Sequence, residues 1–221
     1  KMLEDGYGYS LDLNDKKLVV GCPYYFYNID LDFVDFNWSG SDVDVYDVSK
    51  YENTALNNTS TASADPYITT LFNPDLPISG SFGTAVSINN GWIAVGSPHY
   101  GNYNGAVYLY RNDSTGTNYS WSLQQRIIAE DSGSLFGSSL ELNKVTGSLS
   151  GSLIVGVGNV SASKAFLFEF SNSLWTKTYT FSPQDTVTKL TFGDYSSYSH
   201  SFRTDNGFGT AVSIYNRTAV I

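Results

Sequence analysis

The sequence predicts an all-β fold assembled from repeats of one four-stranded antiparallel unit. Three observations predict it: a glycine-anchored motif that recurs four times, two-residue alternation of apolar side chains after each glycine, and a composition suited to strands and turns. The chain of 221 residues carries 17 Tyr, 13 Phe and 4 Trp, with 41% hydrophobic and only 15% charged residues. Aromatic and β-branched residues suit a pleated, half-buried surface, while Gly, Ser, Asn and Asp supply turns.

The first strand of each repeat follows from the motif. Tyr7-Gly8-Tyr9-Ser10-Leu11-Asp12-Leu13 aligns with Phe82-Gly83-Thr84-Ala85-Val86-Ser87-Ile88. Phe136-Gly137-Ser138-Ser139-Leu140-Glu141-Leu142 and Phe208-Gly209-Thr210-Ala211-Val212-Ser213-Ile214 are the other copies. Apolar residues at the fifth and seventh places mark a strand with one buried face. Recurrence at this length is the signature of a repeat architecture.

A second strand follows each of the first three copies. Lys17-Leu18-Val19-Val20-Gly21-Cys22-Pro23 matches Trp92-Ile93-Ala94-Val95-Gly96-Ser97-Pro98 and, more loosely, Leu153-Ile154-Val155-Gly156-Val157-Gly158. The glycines are 13 residues apart in two copies (8 to 21, 83 to 96) and 19 in the third (137 to 156), where Gly147 to Ser152 is expected to extend the turn. A continuous apolar run such as Ile93-Ala94-Val95 predicts burial on both faces. The glycine that ends it predicts a close approach of neighbouring backbone, and proline then stops the ladder. In the fourth copy the 13-residue spacing places the second glycine at 222, so the chain is expected to continue as part of something longer.

Third strands are predicted at 43–48, 105–110 and 164–170, and fourth strands at 67–72, 121–128 and 175–181. Four antiparallel strands per repeat make one blade of a β-propeller, and a blade needs neighbours to bury both faces. The expected blades are 1–78 with an acidic insertion, 79–131, 132–206 with a Ser/Thr/Tyr-rich insertion, and 207–221 as the start of another, all in one domain. Motif glycines lie 75, 54 and 72 residues apart (8 to 83, 83 to 137, 137 to 209), so the outer two repeats hold insertions. These fall at 24–41, at the polar stretch 53–65 and at 182–206, and are expected to form loops.

The pattern aromatic-Gly-x-x-Val-x-Ile, a turn, Ile-x-Val-Gly-x-Pro and Gly-Ala-Val-Tyr-Leu-Tyr resembles the FG-GAP repeat family, which includes the propeller of integrin α subunits. The best copy is 80–128, and the likeness extends over almost the whole chain outside the insertions. The resemblance implies a ring of about seven blades, of which this chain would supply three and the start of a fourth. Gly8, Gly21, Gly83, Gly96, Gly137, Gly156 and Gly209 would anchor the repeats. Some members bind calcium in the turn between the first two strands. Here those turns, Asn14-Asp15-Lys16 and Asn89-Asn90-Gly91, are short and poor in carboxylates, which places the chain closer to the metal-poor, tight-hairpin subgroup.

The net charge is −9 and lies entirely within residues 1–78, which hold 13 Asp/Glu against 4 Lys. Residues 79–221 are neutral overall. Such a field repels nucleic acid and anionic membrane surfaces, so neither is an expected partner. No apolar run reaches the roughly 20 residues that span a bilayer. Cys22 is the single cysteine, so no disulfide forms within the chain, and it replaces Ser97 of the second copy as a small residue expected to be buried.

Two kinds of site are expected. Asp30, Asp32 and Asp35 form the densest carboxylate set in the acidic insertion, a candidate calcium site, since calcium takes six to eight oxygens; a solvated acidic face is the plainer reading. Asp42, Asp44 and Asp47 alternate with Val43, Val45 and Tyr46 and read as a strand with a polar face. Acceptor patterns for N-linked glycans occur at Asn37, Asn57, Asn58, Asn112, Asn118, Asn159 and Asn216. Seven exceed the roughly four that composition alone would give.

Catalysis finds little support. His99 and His200 are the two histidines, no Gly-x-Ser-x-Gly elbow is present, and no carboxylate pair is marked as in a glycosidase. Trp92, Trp121 and Trp175 sit at strand positions and are expected to pack; Trp38, in the insertion, is expected to be exposed. The sequence points to a non-enzymatic extracellular or cell-surface glycoprotein, without a cofactor unless calcium, using a propeller for adhesion or for recognition of a protein or glycan. Two alternatives stand beside it: a self-associating subunit of an extracellular filament or coat, and a scaffold domain of a carbohydrate-active enzyme.

Overall fold

The computed structural model describes residues 6–23, 41–51, 67–75, 80–114, 119–130, 133–146, 150–159, 164–182, 208–215 and 218–221. It is all-β, with three four-stranded antiparallel sheets and a further hairpin. The first sheet is β1 (Ser10–Asn14), β2 (Lys17–Cys22), β3 (Asp42–Asp47) and β4 (Tyr67–Phe72). The second is β5 (Ala85–Asn89), β6 (Trp92–Ser97), β7 (Ala106–Asn112) and β8 (Trp121–Ile128). The third is β9 (Phe136–Thr146), β10 (Ser150–Val157), β11 (Ala165–Ser171) and β12 (Leu174–Phe181), and the hairpin is β13 (Ser213–Tyr215) with β14 (Thr218–Val220). In each sheet spatial order follows chain order, so each is a simple meander.

Register repeats with the motif. Ser10 pairs with Gly21, Ala85 with Gly96 and Ser139 with Gly156. The first two hairpins close through two-residue turns with positive φ at both places, Asp15-Lys16 and Asn90-Gly91. That is the handedness that matches strand twist. The pairing of third with fourth strand carries an irregularity at one equivalent place in all three sheets: Val45/Tyr46, Leu109/Tyr110 and Leu167/Phe168. A bulge there increases the local twist of the outer strand.

The hairpin of the third repeat differs from its expectation. Rather than a longer turn through Ser152, both strands are longer: β9 runs for 11 residues, and Ser150 already pairs with Thr146. The added residues extend the ladder because backbone groups gain partners in it, and an irregularity between Ser150 and Ser152 takes up the mismatch. The motif aromatic and glycine of the first two copies lie before their strands, in a turn. Thr84 N–H donates to the Ser81 carbonyl (3.2 Å) with Gly83 at φ +93°, as a type II turn requires at its third place.

The three sheets pack face to face. Val86, Ile88, Ile93, Val95, Tyr108 and Tyr110 of the second sheet meet Val19, Val43, Val45 and Leu71 of the first, with Phe82 between them. The opposite face, Ala85, Trp92, Ala94, Val107 and Leu109, meets Leu140, Leu142, Leu153, Val155 and Phe170 of the third. Both faces of the second sheet are therefore core, which accounts for the continuous apolar run of β6, where Ile93, Ala94 and Val95 are fully buried. The third sheet in turn covers Ile214 of the hairpin with Ile154 and Leu167.

Trp92, Phe170 and Trp175 interlock as an aromatic cluster, with ring centroids 4.9 to 5.5 Å apart. Trp121 packs half-buried against the core between the first two sheets. All three tryptophans are packing residues, as expected, whereas Trp38 lies outside the described residues. Cys22 is buried. Among the described residues no helix is long and apolar enough to cross a membrane.

Candidate functional site

The seams between sheets are where the motif residues converge. A Cβ placed on Gly21 would stand 2.2 Å from the Gly83 carbonyl oxygen; on Gly96, 2.0 Å from that of Gly137; on Gly156, 1.9 Å from that of Gly209. The glycine ending each second strand thus lies flat against the motif glycine of the next repeat. Six of the seven anchoring glycines take part in these seams, and Gly8 keeps the matching conformation, φ +80°. Where a serine stands at the fourth place, it adds a bond: Ser10 Oγ donates to the Gly83 carbonyl (2.8 Å) and Ser139 Oγ to that of Gly209 (2.9 Å).

The sixth motif place makes a second set of bonds. Asp12 Oδ2 accepts from the Ile88 N–H (2.7 Å) and from Ser87 Oγ (2.9 Å). Ser87 Oγ accepts from the Leu142 N–H (3.1 Å), and Glu141 Oε2 from the Ile214 N–H (2.7 Å). In every case the sixth residue of one repeat takes the amide of the seventh residue of the next. Sequence reasoning missed this, because Asp, Ser and Glu share no shape, only an acceptor oxygen.

Two further contacts tie the outer strands. Gln125 Nε2 donates to the Trp175 carbonyl (2.9 Å) while Trp175 N–H donates to Gln125 Oε1 (2.8 Å), so one side chain mimics a strand across the sheets. Arg126 Nη1 reaches both carboxylate oxygens of Asp75 (2.6 and 2.7 Å), and the buried Tyr108 hydroxyl donates to Asp75 Oδ2 (2.6 Å). Burial alone would push the Asp75 carboxyl up, but Arg126 and Tyr108 outweigh it and hold it below the usual carboxylate range. Burial and the same hydrogen bond push the Tyr108 phenol above its ordinary value.

The two outward ends of the stack differ from its interior. Leu11 and Leu13, the equivalents of buried Val86 and Ile88, are 65% and 59% exposed. Tyr215 and Val220 of the hairpin are 82% and 65% exposed. The first sheet also carries a hydroxyl-rich cluster in which Tyr46 hydrogen-bonds Tyr7 (2.6 Å) and donates to Asp44 Oδ2 (3.1 Å), while Thr70 donates to Asp44 Oδ1 (2.5 Å). Tyr46 stacks edge-on with Tyr67, and burial together with its hydroxyl partners raises its phenol above the usual range. A groove of about 230 Å³ also opens between the second and third sheets, floored by Ile127, Phe136 and Phe166 and edged by Lys164 and Lys177. Lys177 pairs with Glu130 (2.9 Å).

The sequence-predicted residues divide as follows. Asp30, Asp32, Asp35, Asn37, Asn57, Asn58, Asn118, Asn216 and His200 lie outside the described residues. β3 is the expected strand, but its polar face holds Asp42, Asp44 and Tyr46. Asp47 falls on the opposite face with Val43 and Val45 and is itself buried, because side chains alternate along a strand. Asp44 is held by hydroxyls, and Asp47 by Lys17 (3.3 Å) and Ser49. Among the described residues no three His, Cys, Asp or Glu side chains come together as a metal-holding group. His99 Nδ1 is 2.7 Å from Ser81 Oγ, its ring lies edge-on to Tyr103, and burial lowers its pKa. Asn112 ends β7, and Asn159 follows β10.

Compared with protein-family models, the chain matches none; compared with curated proteins, it again matches none.

Proposed function

We propose that this chain is part of a β-propeller in an extracellular surface or matrix glycoprotein, where stacked blades present loops for adhesion or recognition of a protein or glycan. The observation that carries the reading is the seam repeated at three successive junctions, glycine on glycine and acceptor on amide. Units that can cover each other's faces only by stacking in sequence form a scaffold, and such scaffolds place variable loops at their ends. The resemblance to FG-GAP repeats, the long insertions and the abundance of glycan acceptor patterns support a surface role. The carboxylates Asp44, Asp47 and Asp75 and the imidazole of His99 are each taken up by structural partners, which favours recognition over catalysis.

The test is binding of the chain, secreted from a eukaryotic host, to arrayed glycans and purified matrix polymers. Saturable binding that is lost on replacing an insertion with a short Gly/Ser linker supports the reading. A folded chain that binds nothing overturns the recognition role.

A second reading, a filament or coat subunit, is favoured by Leu11 and Leu13, apolar residues exposed on the outward face of the first sheet. Sedimentation across a concentration series distinguishes it, since a filament subunit grows with concentration and loses that growth on Leu11→Asp/Leu13→Asp.

A further inference from the structure

The two acceptor asparagines that lie within the described residues, Asn112 and Asn159, use their carboxamides in opposite ways. Asn112 Oδ1 accepts from the Ser114 N–H (3.1 Å) and Ser114 Oγ (2.6 Å), a turn closed within Asn112-Asp113-Ser114 itself. Its Nδ2 takes no hydrogen bond among the described residues. The backbone beneath is fixed independently, because Asn112 N–H donates to the Gly91 carbonyl (2.8 Å) and Asp113 N–H to that of Ser120 (2.9 Å). Asn112 therefore stands in a rigid turn with its reactive nitrogen unspent.

Asn159 is built the other way. Its Nδ2 donates to the Gly133 carbonyl (2.6 Å) and its backbone N–H to that of Ser134 (3.3 Å). Gly133 N–H in turn donates to Asn104 Oδ1 (3.1 Å), Ser134 Oγ to the Asn104 carbonyl (2.8 Å), and Leu135 N–H to that of Tyr103 (2.9 Å). Three chain segments, 103–104, 133–135 and 158–159, close into one knot across the second and third sheets, and the Asn159 carboxamide nitrogen is one of its ties.

We propose that the folded chain carries an N-linked glycan at Asn112 and none at Asn159; this rests on the reading of the protein as an extracellular glycoprotein. The donor is an oligosaccharide on a polyprenyl pyrophosphate. The bond from the anomeric carbon to the pyrophosphate oxygen breaks, a bond from that carbon to Nδ2 forms, and the nitrogen gives up one proton. At Asn112 the product keeps both bonds to Ser114, since they use only Oδ1. At Asn159 the first sugar ring must sit where three loops meet, or the side chain must leave the knot and abandon Gly133. Chains modified there fold poorly and are depleted from the secreted protein.

The test is site-resolved occupancy. The chain is secreted from a eukaryotic host, its glycans are released by an amidase in heavy-oxygen water, and the labelled Asp at each position is counted by peptide mass spectrometry. Occupancy at Asn112 is expected to exceed that at Asn159 by about tenfold or more, the ratio that the loss of one good hydrogen bond sets. Equal or reversed occupancy overturns the inference and leaves the glycoprotein reading standing. No label at any acceptor pattern overturns both. As a second readout on glycan-free protein, Asn159→Asp, which removes the donor, is expected to lower the melting temperature, whereas Asn112→Asp, which keeps the acceptor, leaves it in place. An unchanged melting temperature for Asn159→Asp overturns the knot that the inference rests on.

Discussion

The carbonyl oxygen of Gly137 occupies the place where a side chain on residue 96 would begin: a Cβ there would lie 2.0 Å from it. No rotamer relieves that contact, because both partners are backbone. Gly96→Ala is expected to destabilise the chain by about 3 kcal/mol, at the upper end of overpacking costs. Gly91→Ala is the control. Its φ of +81° is strained for alanine but the space around it is open, so the cost should stay near 1 kcal/mol. Urea unfolding followed by tryptophan fluorescence reads both, since Trp92 and Trp175 lie in the core beside this seam.

The bond from Ser87 runs both ways, as donor to Asp12 and acceptor from the Leu142 amide. Ser87→Ala strands a buried N–H and should cost about 1–3 kcal/mol. Asp12→Ala removes the partner of the Ile88 amide. A double-mutant cycle between the two should give a coupling of about 0.5–3 kcal/mol, and additivity would show that the seams act independently.

Gln125 holds the Trp175 backbone through one donor and one acceptor. Gln125→Glu keeps the acceptor but turns the donor into an oxygen facing the Trp175 carbonyl. It should cost more than Gln125→Met, which loses both bonds without adding repulsion. The ordering of melting temperatures checks the claim.

Acid sensitivity should trace in part to Asp75. Its carboxyl is held below the ordinary value of 3.8, so its contribution is present above that pH and is lost as pH falls through its folded value. Asp47 behaves in the same direction: burial raises it, and Ser49 and Lys17 outweigh the rise. Asp75→Ala is expected to lower the melting temperature at neutral pH, with the difference from the parent chain shrinking below about pH 4. A gap that stays constant between pH 7 and pH 3 would assign the effect to packing rather than charge.

Much of the strand order was legible because apolar side chains repeat with the period of a strand. The runs Trp92 to Ser97 and Trp121 to Ile128 both appear as strands. The close approach at Gly96 was legible too, since only glycine admits a carbonyl at that distance. The bulge at Leu109/Tyr110 was not, because it depends on how two strands slip past each other and leaves no fixed residue type behind. Gln125 and Asn159 were invisible for a different reason: each acts through a single amide group on backbone more than 20 residues away, and sequence spacing carries no trace of that. Of the candidate site residues, position alone could place Asn112 and Asn159, but only hydrogen-bond geometry separates them.

At the sixth motif place the acceptor belongs to the earlier repeat and the amide it takes to the later one, which gives the stack an arrow. A unit turned end for end would meet acceptor with acceptor. Evolution of such a chain is therefore constrained in adjacent pairs: a change at Glu141 is felt at Ile214 in the next unit. Segments that leave the inner strands escape this constraint. That freedom matches the spacing of 75, 54 and 72 residues between motif glycines, where length varies widely around hairpins that stay in register.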